Sequence, residues 1–213
     1  MKFKSSHLLK FAILNILLVF GLLMTSCGKP KEEPVAYKPN IYIYPPIKSD
    51  IEVKITFPLG GEILKSIPNY DGKWKVNIEP SGIIDKKYSY LFYESSQANV
   101  WQKETGYCIS KDSLKAFFES NMNEYKFNEK EIKDFTSYWL PKFKKSKFYI
   151  IYPQEKEIVD KAIKLEISNK PGQIQRLHYL IEEAQEFNEI TKHVIRSKFE
   201  RKGFYVCEWG VLL

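Results

Sequence analysis

"IEVKITF", Ile51 to Phe57, alternates apolar and polar residues from end to end. Ile51, Val53, Ile55 and Phe57 fall on one side and Glu52, Lys54 and Thr56 on the other. A period of two is the signature of a strand with one buried face. "WKVNI" repeats it with Trp74, Val76 and Ile78, and Asp71-Gly72 just upstream predicts a tight turn, because Gly accepts the positive φ such turns need. "IYIYPP" (Ile41 to Pro46) and "YSYLFYE" (Tyr88 to Glu94) are aromatic-rich runs that suit strands better than helices, and "GYCIS" (Gly106 to Ser110) adds another. Short strands punctuated by Pro and Gly predict a β-sandwich-like sheet or open barrel over residues 38–110.

Beyond residue 110 the period changes. "DSLKAFFESNMNEY" carries Leu114, Phe117, Phe118, Met122 and Tyr125 at helical spacing. Asn128 and Glu131 form a capping box for a second helix carrying Ile132, Phe135 and Trp139, which Pro141 should end. Strands return with "FYIIYP", "IKLEI", "IQRLHYLI" and "GFYVCEWGVLL". "EEAQEFNEITKHVIRSKFER", Glu182 to Arg201, leans to helix or loop. The expected class is α+β: a sandwich-like sheet over 38–110, then a helical hairpin and further mostly antiparallel strands packed on it over 111–213.

The chain begins differently. Lys2, Lys4 and Lys10 precede Phe11–Met24, an apolar run of 14 residues broken only by Asn15. A membrane-spanning helix needs about 20 such residues. A shorter run with a basic front and the small residues Thr25 and Ser26 behind it fits a secretory signal over 1–26. The apolar run, the small residues and then Cys27 together resemble a bacterial lipoprotein signal, with Met24 where Leu, Val or Ile is usual. That resemblance implies cleavage before Cys27 and acylation of its thiol, and several acyl chains anchor a protein firmly. Residues 27–37, with Pro30 and Pro34 among charged neighbours, read as a tether to the membrane. "KEE", Lys31 to Glu33, resembles an export signal to the outer face of the cell. An outer-membrane address follows as the expectation, with the leaflet open.

Loss of the signal, which holds three lysines and no acid, takes the formal charge from +7 to +4. The densest basic run, "KFKKSK" (Lys142 to Lys147), suits a solvated loop, an anionic lipid surface or an acidic polysaccharide. No helix-turn-helix, RNA-binding or zinc-finger pattern occurs, so nucleic acid is not an expected partner.

Four blocks, "KPNIYIYP" (Lys38 to Pro45), "YSYLFYE", "YWLPKF" (Tyr138 to Phe143) and "ERKGFYVCEWG" (Glu200 to Gly210), resemble in order the signature blocks of a bacterial and fungal family. The resemblance spans nearly all of the chain after the tether and implies no activity. Tyr93, Ser95 and Val211 depart from that pattern, which has Trp, Gly and Gly there.

Candidate site residues are few. His178 and His193, the only histidines beyond the signal, lack metal-ligand spacing, and no HExxH, CxxC, nucleophile elbow or phosphate loop is present, so no metal or cofactor is expected. Glu94 and Glu208 each close an aromatic strand, and two convergent carboxylates are the minimum for glycoside hydrolysis. Charges at strand ends are the plainer reading, under which Glu208→Gln leaves the fold intact. Trp139 and Trp209 are candidates for stacking on a sugar ring or for the core. Cys108 and Cys207 could pair in an oxidising compartment, although free thiols on apolar strands suit them better. The expected function is a lipid-anchored binding module for a polysaccharide, peptide or envelope protein. A glycosidase-like surface hydrolase and a structural or assembly lipoprotein are the alternatives.

Overall fold

A computed structural model describes residues 35–213; the signal, Cys27 and nearly all of the tether lie outside them. The class is α+β, with ten strands in a seven-stranded and a three-stranded sheet. The strands are β1 (Val35–Tyr44), β2 (Ser49–Thr56), β3 (Gly61–Ile67), β4 (Trp74–Ile78), β5 (Leu91–Gln97) and β6 (Tyr107–Ser110). After the helices follow β7 (Phe148–Glu155), β8 (Lys164–Ile167), β9 (Gln173–Ala184) and β10 (Tyr205–Leu212). The α-helices among the described residues are α1 (Leu114–Glu124), α2 (Glu129–Trp139) and α3 (Lys156–Ala162).

The stretch IEVKITF becomes β2, and Ile51, Val53 and Ile55 are buried while Glu52 and Lys54 are exposed. Residues 71–73 before β4 form a bend, in which Gly72 adopts φ +68°. The large sheet runs β3-β5-β1-β10-β9-β7-β6 and the small one β4-β2-β8. Every strand pair is antiparallel except β9 with β10. Chain order and sheet order therefore differ: β1 lies between β5 and the C-terminal β10, and β8 joins β2. Both sheets combine strands from either side of residue 110. Strand β1 also starts at Val35, so the last three residues of the expected tether are paired strand.

Alternation on the large sheet divides two cores. Ile41, Ile43, Leu91, Tyr93 and Val206 face one way and pack with Ile51, Val53, Trp74, Val76 and Ile78 of the small sheet and Val159 of α3. Tyr42, Leu177, Tyr179, Cys207 and Trp209 face the other way and pack with Phe118, Met122, Phe135 and Trp139 of the helical hairpin. Small sheet, large sheet and helices thus form three layers.

The hairpin is fixed at its second helix. Asn128 Oδ1 accepts from the Glu131 N–H at 2.8 Å, and Glu131 Oε2 accepts from the Asn128 N–H at 2.8 Å. Arg201 ties the same carboxylate to the large sheet, donating from Nη1 to Oε2 at 2.8 Å and from Nη2 to Oε1 at 3.0 Å. Its guanidinium lies over the rings of Tyr44 and Tyr205, so a planar cation spans helix and sheet. Pro141 falls in a short 3-10 turn, Leu140–Lys142, that follows α2.

Two elements carry no clear period in the sequence. Strand β3, GEILKSI, has a bulge between Ile63 and Lys65, and α3 is only seven residues long. The Glu182–Arg201 stretch is not helical: Glu182–Ala184 complete β9, and the remainder runs as loop, touching β6 through a Gly106–Lys192 bridge.

Candidate functional site

The two candidate carboxylates do not meet. Glu94 shares the helix-side face of β5 with Phe92, whereas Glu208 shares the opposite face of the large sheet with Val206, packed toward the small sheet. Glu94 and Glu208 therefore do not form the carboxylate pair that glycoside hydrolysis needs. Trp139 and Trp209, 2% and 0% exposed, are core residues of the helical layer and present no ring to a ligand. Cys108 and Cys207 are both free. They sit on β6 and β10, three strand spacings apart in the sheet, or about 14 Å, where a disulfide tolerates at most about 7 Å between Cα atoms. Cys207 is buried, and burial pushes its thiol pKa well up, while Cys108 is half-buried and its Sγ accepts from the Asn188 N–H at 3.3 Å.

Glu208 instead anchors a buried polar cluster. Tyr93 donates its hydroxyl to Glu208 Oε1 at 2.7 Å, and Arg176 Nε donates to Glu208 Oε2. Arg176 Nη1 also donates to Asp160 Oδ1 at 2.7 Å and to the Ile163 carbonyl, tying α3 to the sheet. Burial alone would raise the Glu208 carboxyl pKa, but the adjacent Arg176 guanidinium and the neighbouring His178 together outweigh it and hold the group well below the usual range. His178 Nε2 lies 3.5 Å from Glu208 Oε1 without a hydrogen bond, and burial lowers its pKa, so it is neutral. Glu208, Arg176 and His178 are 0%, 1% and 0% exposed.

A second line of polar contacts joins Thr105 Oγ1 to His193 Nδ1 at 2.9 Å and His193 Nε2 to Glu155 Oε1 at 3.1 Å. Hydroxyl, imidazole and carboxylate in series have the connectivity of a nucleophile triad. The neighbouring amides are already engaged, however: the Thr105 N–H donates to Gln102 Oε1 and the Gly106 N–H to the Thr191 carbonyl. Neither of these two amides is free to serve an oxyanion. Glu155 Oε1 also accepts from Tyr125 Oη at 2.9 Å and from the Arg196 N–H at 3.0 Å, so the line fastens the 185–204 loop to β7.

One cleft among the described residues, of about 390 Å³, is lined by residues of β1, β3, β5, the segment before β5 and Tyr138 at the end of α2. Its aromatic walls are Tyr88, Tyr90, Phe92 and Tyr138, and Lys38, Lys65 and Lys87 line it with the single carboxylate Glu94. Lys142 and Lys130 stand nearby, their ammonium groups 4.4 Å from the Tyr138 centroid and 5.7 Å from that of Tyr90.

Lys38 is the placed residue. Pairing of β1 slips between Tyr37 and Asn40, and in this bulge Lys38 adopts φ +49°. That left-handed conformation costs a non-glycine residue on the order of 1 kcal/mol, and such strain gathers where a side chain must be aimed. Here it holds the Lys38 ammonium 3.5 Å from the centroid of the Tyr138 ring. Burial pushes its pKa down, against the pull of Asp134, with Lys142 adding to the lowering and Glu94 opposing it.

Three of the quoted blocks meet at this cleft: KPNIYIYP supplies Lys38, YSYLFYE supplies Tyr88 to Glu94, and YWLPKF supplies Tyr138 and Lys142. Of the candidates read from sequence, only Glu94 is there. The missed residues carried one signal: alternation in YSYLFYE puts Tyr90, Phe92 and Glu94 on one face, away from buried Leu91 and Tyr93. Among the described residues, no group of three or more His, Cys, Asp or Glu could hold a metal ion, and no helix is long and apolar enough to cross a membrane. Compared with protein-family models, curated proteins and solved structures, the chain matches none.

Proposed function

We propose that this chain is an envelope lipoprotein held on the membrane through Cys27, and that its folded unit is a binding module using the Lys38–Tyr138 cleft. The anchor half rests on the sequence from Lys2 to Cys27. The binding half rests on one observation: a strained bulge residue sets an ammonium group over an aromatic ring, inside a cleft of suitable size for a ligand. The half-buried rings of Tyr88, Tyr90 and Tyr138 beside lysines form a surface for capture, and the opposed placement of Glu94 and Glu208 favours binding over hydrolysis by that pair.

Each half has its own test. Cys27→Ser should move the protein from the membrane pellet to the soluble fraction, and continued pelleting would sink the anchor. Affinity electrophoresis through gels containing envelope or extracellular polysaccharide should retard the full-length protein in detergent. Tyr138→Ala, which removes a half-buried cleft ring, should abolish that retardation while circular dichroism shows the fold retained. Equal retardation of Tyr138→Ala and the unaltered protein would show that the cleft is not the site.

A further inference from the structure

We propose that the cleft takes an acidic saccharide, a run of sugar rings bearing carboxylates. This rests on the cleft being the binding site and names the ligand's chemistry.

The lining makes three separate demands on a ligand. Half-buried Tyr88, Tyr90 and Tyr138 offer apolar ring surface beside polar groups, which suits the C–H faces of sugar rings. Lys38, Lys65 and Lys87 donate hydrogen bonds and accept none, so whatever faces them must bring acceptors, and charged acceptors bond most strongly to ammonium groups. Glu94 is the only carboxylate among the residues lining the cleft and asks the opposite: a ligand with donors. A uronic acid chain answers all three, with carboxylates for the lysines, hydroxyls for Glu94 and ring faces for the aromatics. A neutral saccharide leaves the lysines without charged partners. An acidic peptide has backbone N–H donors for Glu94 but no sugar-like C–H ring faces for the aromatics.

Within this group Lys38 sets the preference for acid. Lys65 and Lys87 are exposed and solvated, whereas Lys38 is half-buried and already oriented by the bulge and the Tyr138 ring. An oriented group has less rotamer freedom to lose on binding. Its partial burial also reduces screening of a carboxylate placed beside it.

The experiment titrates the full-length protein in detergent micelles with three probes: trigalacturonate, its fully methyl-esterified form and hexaglutamate. The free acid should bind about tenfold more tightly than the ester, the amount one charge-assisted hydrogen bond supplies. Added salt should weaken the acid and not the ester. Lys38→Gln should remove the preference for acid, leaving ester binding in place, and Lys38→Arg should restore part of it. Lys65→Gln and Lys87→Gln, at exposed positions, should each have a smaller effect and report on charge without touching the bulge.

Equal binding of acid and ester, with Tyr138→Ala abolishing both, would overturn the acidic ligand and leave the cleft as a site for neutral sugar. Hexaglutamate binding as tightly as trigalacturonate would overturn the saccharide in favour of an acidic peptide. Acid binding unchanged by all three glutamine variants would overturn the role of the lysines. Binding of none of the probes would overturn the proposal, while retardation by polysaccharide that Tyr138→Ala abolishes would still stand for the cleft.

Discussion

Arg176 and Glu208 stand directly opposite one another where β9 and β10 pair in parallel, and their charges meet where neither is exposed to water. This pair replaces the plainer reading of Glu208 as a charge at a strand end. Removing one partner of a buried pair leaves the other charge uncompensated, at a cost of about 3–5 kcal/mol. Glu208→Gln should therefore destabilise the fold by roughly that amount in urea unfolding. The double variant Arg176→Met/Glu208→Leu should be less destabilised than either single one. Equal stability of Glu208→Gln and the unaltered chain would show that the pair does not clamp α3 to the sheet.

The same pair sets an acid limit. The folded Glu208 carboxyl ionises well below its ordinary range because of Arg176, so on acidification the unfolded chain takes up a proton first. The contribution of Glu208 is fully present above the unfolded value, about 4.3, and is lost progressively as pH falls below it. Melting temperatures from pH 6 downward should fall more steeply for the unaltered protein than for the double variant. Parallel curves would rule out this source of acid sensitivity.

The cysteines should behave as two unlike thiols. Non-reducing peptide mapping should find Cys108 and Cys207 unlinked, since two strands separate theirs. Iodoacetamide should label half-buried Cys108 in the native protein, and Cys207 only after unfolding, because the thiolate is the reactive form and burial disfavours it. A Cys108–Cys207 peptide would contradict the strand order itself.

Asn128 closes the capping box at the start of α2. Asn128→Ala should cost about 1 kcal/mol, measured by denaturant unfolding. Glu131→Gln should cost more, because it also leaves Arg201 without its charged partner between helix and sheet. A larger loss for Asn128→Ala than for Glu131→Gln would reverse this assignment.

Much of the fold is legible in the sequence because burial follows short periods. Alternation in IEVKITF and WKVNI locates β2 and β4, and the spacing of Leu114, Phe118 and Met122 locates α1. Where the period breaks, the elements disappear from view: the β3 bulge disrupts alternation, and the seven residues of α3 make barely two turns. The site was less legible. Glu94 lies in the cleft, yet its neighbours Lys38, Lys65 and Tyr138 come from segments far apart in the chain, brought together by strand pairing and the end of α2. No local pattern announces a bulge that turns one lysine into a fixed group.

The amino-acid sequence by itself determined the kinds of element, the faces they bury and the resemblance of its first residues to a lipoprotein signal. These depend on side-chain chemistry at neighbouring positions. Only the tertiary structure decided that β1 lies between β5 and β10, that Glu94 and Glu208 face opposite ways, and that Glu208 belongs to Arg176. Such pairings depend on which distant strands meet and in what register, and a one-residue shift in register would exchange every face.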